Sequence, residues 1–507
     1  MVHRITESIR KLTANPNQLR TAIGTLIGTT VLTGFAVTGL IAIVRQLGGL
    51  QGAELAAYDT LVRLRPDEGT DERILVVGID EFDIQARQEF PIHDGTLAEL
   101  LQRLQAYEPR AIGVDIARDI PQGEGREAMT QQFASSDRII SSCVLSSATS
   151  PGLPPAPGAT IDQIAFADLP QDSGNIIRRS ILVSTPIETS APLPNTHVCN
   201  EVDPENQLPS LAFVLGLIYL SDEGVTLSET PEGELQLGEA VLHRLPMQTA
   251  GYHYTGADDY QILLNYRTAA EPFRTVNLSA VLSGQVDESW VRDRIVLIGY
   301  ESDIAKDRFV TPLSGSGSGR AITIPGVTIH AHSVSNLISA ALGERSLLWY
   351  WPRPIEGLWM LGWALVGGAV AYGTRRLWHF VVLEGLVAIA LLGSCYVLLV
   401  QGGWVPLVPA AIGLVLTGVS VALLDRATQE GYTQAIYEQV RDQVKKVVAP
   451  PSIEIDENKR AQQVAEITES SYFQDLKARA KAIREQRQSQ LNQAATDTSS
   501  SPNPPST

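Results

Sequence analysis

Four long stretches of this chain are predominantly apolar, and between the first two lies a long segment where short apolar runs alternate with amphipathic ones. Residues 22–44, AIGTLIGTTVLTGFAVTGLIAIV, hold 23 positions without a charge. A helix of that length is about 35 Å long, enough for a hydrocarbon core of about 30 Å. A cleaved signal peptide would carry a shorter apolar run and a small-residue cleavage site. Arg45-Gln46-Leu47 follows instead, so an uncleaved anchor is expected. Residues 355–373, 380–400 and 405–424 repeat the pattern, separated only by TRRLWH and QGGW. Backbone polar groups find no water in lipid, so these stretches are expected to be helices. Pro406 and Pro409 fall in the first turn of the last one, where a missing N–H costs least. LPSLAFVLGLIYL, 208–220, is equally apolar but only 13 residues long, which suits a buried core helix.

The intervening segment reads as an α/β domain with a mainly parallel sheet and flanking helices. The runs ILVVGID (74–80), RAIGVDI (110–116), RIISSCVL (138–145), IIRRSILVS (176–184), QILLNYR (261–267) and RIVLIGY (294–300) have strand character. Helical patterns at 96–107, near 126–134 and from about His330 lie between or after them. Short apolar strands spaced by amphipathic helices suggest βαβ units. SPGLPPAPGAT (150–160) and SGSGSGR (314–320) read as surface loops. The latter is no phosphate loop, because no Gly-Lys-Ser/Thr follows it.

Charge sets the expected orientation. Arg4, Arg10, Lys11 and Arg20 precede the first span, and Arg375-Arg376 fill the first late gap. Excess Lys and Arg mark the cytoplasmic side. This leaves residues 1–21 and the tail from 425 inside, and 45–353 outside. That outer segment holds 22 Lys and Arg against 41 Asp and Glu, within a chain total of −17. Such an acidic surface argues against nucleic acid as a partner. Cys395 falls in a span, while Cys143 and Cys199 fall on the oxidising side. They are either a disulfide or two buried thiols.

The order of landmarks resembles the CHASE domain of the second type, an extracellular sensory module of bacterial, often cyanobacterial, signalling proteins. The matching pieces are AAYDTLVRLRP (56–66), ILVVGIDEFDI (74–84), PRAIGVDI (109–116) and FADLPQDSGNIIRRSIL (166–182). LPSLAFVLGLIYL (208–220), LLNYR (263–267), RIVLIGYESDIAKDRFVTPL (294–313) and IPGVTIHAHSVSNLI (324–338) complete the set. The resemblance covers about 55–340 and includes the three late spans. It implies a multi-pass protein of a bacterial inner membrane. Family members usually continue into a kinase or cyclase domain, but only 83 residues follow Leu424, too few for either. Helices are expected at 426–448 and 457–490, broken at Ala449-Pro450-Pro451, with 491–507 disordered by composition.

Ligands of a parallel sheet bind beyond the carboxyl ends of its strands. Asp80 ends the first strand and Asp115 lies near the end of the second, so the two are candidates for one ligand-binding edge. The alternative is that each caps the next helix or turn. Asp307, Thr311 and His330 belong to the later matching block and are candidates for closing the same pocket. His330-Ala-His332 suggests a metal only weakly, and no metal or cofactor is assigned. Glu384, near the inner end of its span, reads as an interfacial carboxylate. No nucleophile and base are legible, so the chain is not expected to be an enzyme; an ectoenzyme at the Asp80/Asp115 edge ranks last. The leading reading is a sensor in contact with the lipid bilayer. It has a small-molecule or protein stimulus outside, an inside signalling or assembly partner at 425–490, and a homodimer as an open option. The second reading is an anchor or scaffold subunit that binds another envelope protein.

This partition is open to test with reporter fusions. Fusions after Leu50 and near Gly402 are expected to read outside, and fusions after Arg376 and Arg426 inside. An inside signal after Leu50 overturns the topology.

Overall fold

The computed structural model describes residues 16–256, 259–317, 320–374, 376–429 and 471–496. Arg4, Arg10, Lys11, Arg375 and the Ala449-Pro450-Pro451 break lie outside these residues. The chain forms two units, 1–426 and 427–507.

The first unit opens with helices α1 (Pro16–Gln46) and α2 (Gln51–Arg63), strand β1 (Ile74–Ile79), helices α3 (Glu81–Arg87) and α4 (Asp94–Gln105), and strand β2 (Ala111–Asp115). Helix α5 (Arg126–Ser135) and strands β3 (Ile139–Cys143), β4 (Ile164–Phe166), β5 (Arg179–Ser184) and β6 (Leu208–Pro209) come next. They are followed by helix α6 (Leu211–Asp222) and strands β7 (Leu227–Glu229), β8 (Leu235–Leu237), β9 (Ala240–Leu242), β10 (Tyr260–Leu263) and β11 (Arg274–Asn277). Helix α7 (Leu278–Leu282), strand β12 (Ile295–Tyr300) and helix α8 (Gly326–Ala341) close the globular part.

Six strands make one sheet in the order β11-β1-β12-β2-β3-β4, and every neighbouring pair is parallel. Both faces are covered. Leu75, Val77 and Ile79 of β1 and Val296 and Ile298 of β12 pack against α4, α5 and α7 through Leu97, Phe133 and Val281. The alternate residues Ile74, Val76, Ile295 and Leu297 pack against α6 and α8. Burial on two faces is why these strands read as continuous apolar runs.

The runs at 176–184 and 261–267 do not join this sheet. β5 and β10 pair antiparallel in a separate sheet with β6. Arg178 and Arg179 fix that position, since both bind Asp172 and Arg178 also binds Asp59. In the 314–320 run, expected as a loop, Ser316–Gly317 pairs antiparallel with Arg320–Ala321. Cys143 and Cys199 form a disulfide with an S–S distance of 2.10 Å. The short apolar helix α6 lies in the core, as its length indicated.

Among the described residues four helices are long and apolar enough to cross a membrane: Gly28–Gln46 within α1, α9 (Arg353–Gly373), α10 (Leu377–Val400), and Val408–Asp425 within α11 (Val408–Gln429). The globular part is fastened to the end of this bundle at several points. Glu54 of α2 accepts the N–H groups of Leu407 (3.0 Å) and Val408 (2.8 Å) at the start of α11. Tyr58 stacks on Trp404 at 4.2 Å. Arg45 pairs with Glu356 at 2.9 Å, the Tyr396 hydroxyl donates to the Leu64 carbonyl, and Trp349–Tyr350 pairs with Gly403–Trp404. Glu384, expected at a membrane interface, is instead buried inside the bundle.

In the second unit, helix α12 (Ser471–Thr496) is described. It continues to 496, so the segment expected to be disordered from 491 begins in a helix.

Candidate functional site at the carboxyl edge of the sheet

The site is built where β12 and β2 end. Gly299 is in register with Asp115, and a Cβ at Gly299 would stand 2.6 Å from Val327. Only glycine lets the first turn of α8 come this close to the sheet. One turn after Val327, His330 faces Asp115, with Nε2 3.8 Å from Oδ2. Gly326 serves Asp307 in the same way: a Cβ there would stand 2.6 Å from the Asp307 carboxylate. The Gly326 N–H donates to the Asp307 carbonyl at 3.0 Å. Asp115, Asp307 and His330 therefore meet at one place.

All three are desolvated. Burial pushes Asp115 up to about 7. Burial pushes Asp307 up to about 7 as well, the Asp115 charge adds to this, and His330 opposes it. Burial pushes His330 down to about 4, against the pull of Asp307, the Ala167 carbonyl and Asp168. The imidazole is thus neutral at pH 7. At 3.8 Å its contact with Asp115 is too long for a hydrogen bond. A site with two carboxyls half-ionised near neutrality and no fixed positive charge favours a cation, which would relieve the carboxylates' mutual repulsion.

The other two candidates stand apart. Asp80 caps α3: its Oδ1 accepts the Asp83 N–H at 2.8 Å, and the Asp80 N–H returns to Asp83. Its other oxygen accepts from Asn277 at 3.3 Å. β12 lies between β1 and β2, which puts the two strand ends roughly 10 Å apart. The expected Asp80–Asp115 pair is therefore not a pair. Thr311 is buried on the strap that follows Asp307, where its N–H bonds Ser314 Oγ. Next to it, the Pro312 carbonyl accepts from Arg63 of α2 at 2.9 Å.

His332 does not join His330. Its ring lies between Tyr266 and Phe273, and its Nδ1 accepts the Arg267 N–H. Residues two apart on a helix project to opposite sides, so the His-Ala-His sequence makes no chelate. Among the described residues no group of three or more His, Cys, Asp or Glu is placed to hold a metal ion.

Two acids were not singled out from sequence. Asp168 accepts the Leu145 N–H at 3.0 Å, and burial raises it. Glu301, just past β12, is raised by burial against the pull of Arg308. Their only sequence signal is membership of the matching blocks.

Beyond the strand ends of the parallel sheet the chain thus carries a mostly buried acidic cluster, on a domain joined to a bundle of helices long and apolar enough to cross a membrane. A CHASE2 domain family model matches residues 36–369. The chain belongs to that family, a family of extracellular sensory domains. No curated protein and no solved structure matches it.

The two acids give the fold a pH dependence with a defined sign. Each is raised above its unfolded range near 4, so its contribution to stability is complete below pH 4 and is lost as pH rises through about 7. For a group raised this far the loss is roughly 4 kcal/mol at most. Denaturant titration of the full chain in detergent should show wild type weakening from about pH 4 to about pH 7 and levelling off above that. Asp115→Asn should match wild type near pH 4 and exceed it above pH 7.

Proposed function

We propose that the protein is an extracytoplasmic sensor in a bacterial inner membrane, with residues 45–353 outside and both termini inside. The stimulus is a small cation or cationic polar solute held by Asp115 and Asp307, with neutral His330 as a further donor or acceptor. The observation that carries this reading is the meeting of buried His330 with the half-buried carboxyls of Asp115 and Asp307 at the strand ends, Asp307 opening a strap that also grips α2. Occupancy would shift the 307–312 strap. The strap meets α2 at Arg63, and α2 meets the last span at Glu54. The signal then leaves through a cytoplasmic partner at 425–490. In support, α12 leaves Tyr472, Leu476 and Ile483 exposed at helical spacing, the apolar stripe of a helix that pairs with another.

One observation favours the alternative, a scaffold subunit that binds another envelope protein. Phe82, Phe90, Ile120 and Ile304 are all exposed near the same end of the sheet, and exposed apolar side chains there suit a protein partner.

The two readings separate in a thermal-shift screen of the full chain against divalent cations and polyamines, with Asp80→Asn, Asp115→Asn and Asp307→Asn in parallel. The sensor reading expects a ligand that raises the melting temperature of wild type and Asp80→Asn but not of the other two variants. Equal stabilisation of all four proteins moves the site elsewhere. No stabilisation by any cation removes the cation reading and leaves the scaffold.

A further inference from the structure

Inside the helix bundle, Glu384 of α10 is only 8% exposed, and neither of its carboxylate oxygens has a hydrogen-bond partner. Glycines surround it. A Cβ at Gly418 of α11 would stand 2.7 Å from Oε1. A Cβ at Gly367 of α9 would stand 3.1 Å from Oε1 and 2.2 Å from the Leu414 carbonyl. Any larger residue at either position would drive the carboxyl out, so the notch is shaped to hold it.

The notch continues one residue further. A Cβ at Gly368 would stand 2.6 Å from Cγ2 of Thr30 on α1 and 3.2 Å from Cγ2 of Thr417 on α11. Both threonine hydroxyls are buried and have no partner. All four helices thus meet at one level around three unpartnered polar side chains.

The groups around Glu384 are Gly367 from α9 and Gly418 from α11, with the Leu414 carbonyl against Gly367 and, around the adjoining Gly368, the methyl groups of Thr30 and Thr417. None of them titrates. On its own helix His379 and Arg376 lie more than a turn away toward the end. No charged group among the described residues acts on the carboxyl. An ionised carboxylate in such a notch would be an unpaired charge at membrane depth. A neutral acid carries no charge to pair, so protonation removes most of that cost.

We propose that Glu384 is a proton-binding site at the meeting point of the four helices. The carboxyl takes its proton from water and holds it in this packing. Returning the proton to water leaves a charge that the glycine notch cannot pair, and α10 withdraws from α9 and α11. Proton binding and bundle closure are linked equilibria. The bundle so becomes an input separate from the acidic edge of the globular domain.

The test is infrared difference spectroscopy of the full chain in lipid nanodiscs, wild type minus Glu384→Gln, at neutral pH. The expected result is a carbonyl band of a protonated, buried carboxylic acid that the variant lacks. A pair of carboxylate bands in its place overturns the proposal. If Glu384→Gln does not assemble, wild type alone serves, treated with a membrane-permeant carbodiimide, which adds to protonated carboxylic acids. Modification of Glu384 that quickens as pH falls supports proton binding. Absence of modification at every pH, while exposed acids react, overturns it.

Discussion

One carboxylate joins the two halves of this protein. Glu54, buried on α2, accepts both N–H groups at the start of the last span, Leu407 and Val408. The first N–H groups of any helix lack partners within it, and an anion there gains from the helix dipole and from charge-assisted hydrogen bonds. Burial pushes the Glu54 carboxyl up, while the two N–H groups pull it back. Pro406 and Pro409 flank the pair, so the chain presents two donors where one acidic side chain can take both. The stack of Tyr58 on Trp404 closes the joint from the side.

The joint is reinforced by Arg45–Glu356, by Tyr396 on Leu64 and by the Trp349–Tyr350 pairing. α2 also carries Asp59, which binds Arg178, and Arg63, which binds the strap beyond Asp307. One helix of 13 residues therefore touches the strap beyond Asp307, the arginine that opens the second sheet and the start of the last long helix. A displacement at any of these must be absorbed by α2 or passed on. The Trp349–Tyr350 pairing with Gly403–Trp404 secures the same loop from α8's side, which gives the domain two hinge points instead of one.

The strongest signals were the longest apolar runs. β1, β2 and β12 were legible because burial on two faces leaves few polar interruptions, and the four long helices because their apolar runs are long enough to cross a membrane. Strand pairing was not legible: nothing in IIRRSILVS says that Asp172 and Asp59 hold its arginines in a separate antiparallel sheet. Of the site, Asp115, Asp307 and His330 were found through the matching blocks, but Asp80 looked equivalent to Asp115 because sequence does not show that β12 comes between them. Glu384 was misplaced for a similar reason. Its depth in the span could be read, whereas the glycines that receive it lie on two other helices. Glu54 drew no notice at all, since a lone Glu in an amphipathic helix is usually solvated.

The central claim is that the Glu54 carboxylate fastens the last span to the globular domain, and amide hydrogen exchange in the full chain tests it at the two donors. In wild type, the Leu407 and Val408 amides should exchange slowly. With Glu54→Ala they should exchange much faster, along with the first turn of α11, while β1 and β2 keep their protection. Unchanged exchange at Leu407 and Val408 in a folded Glu54→Ala protein would contradict the account.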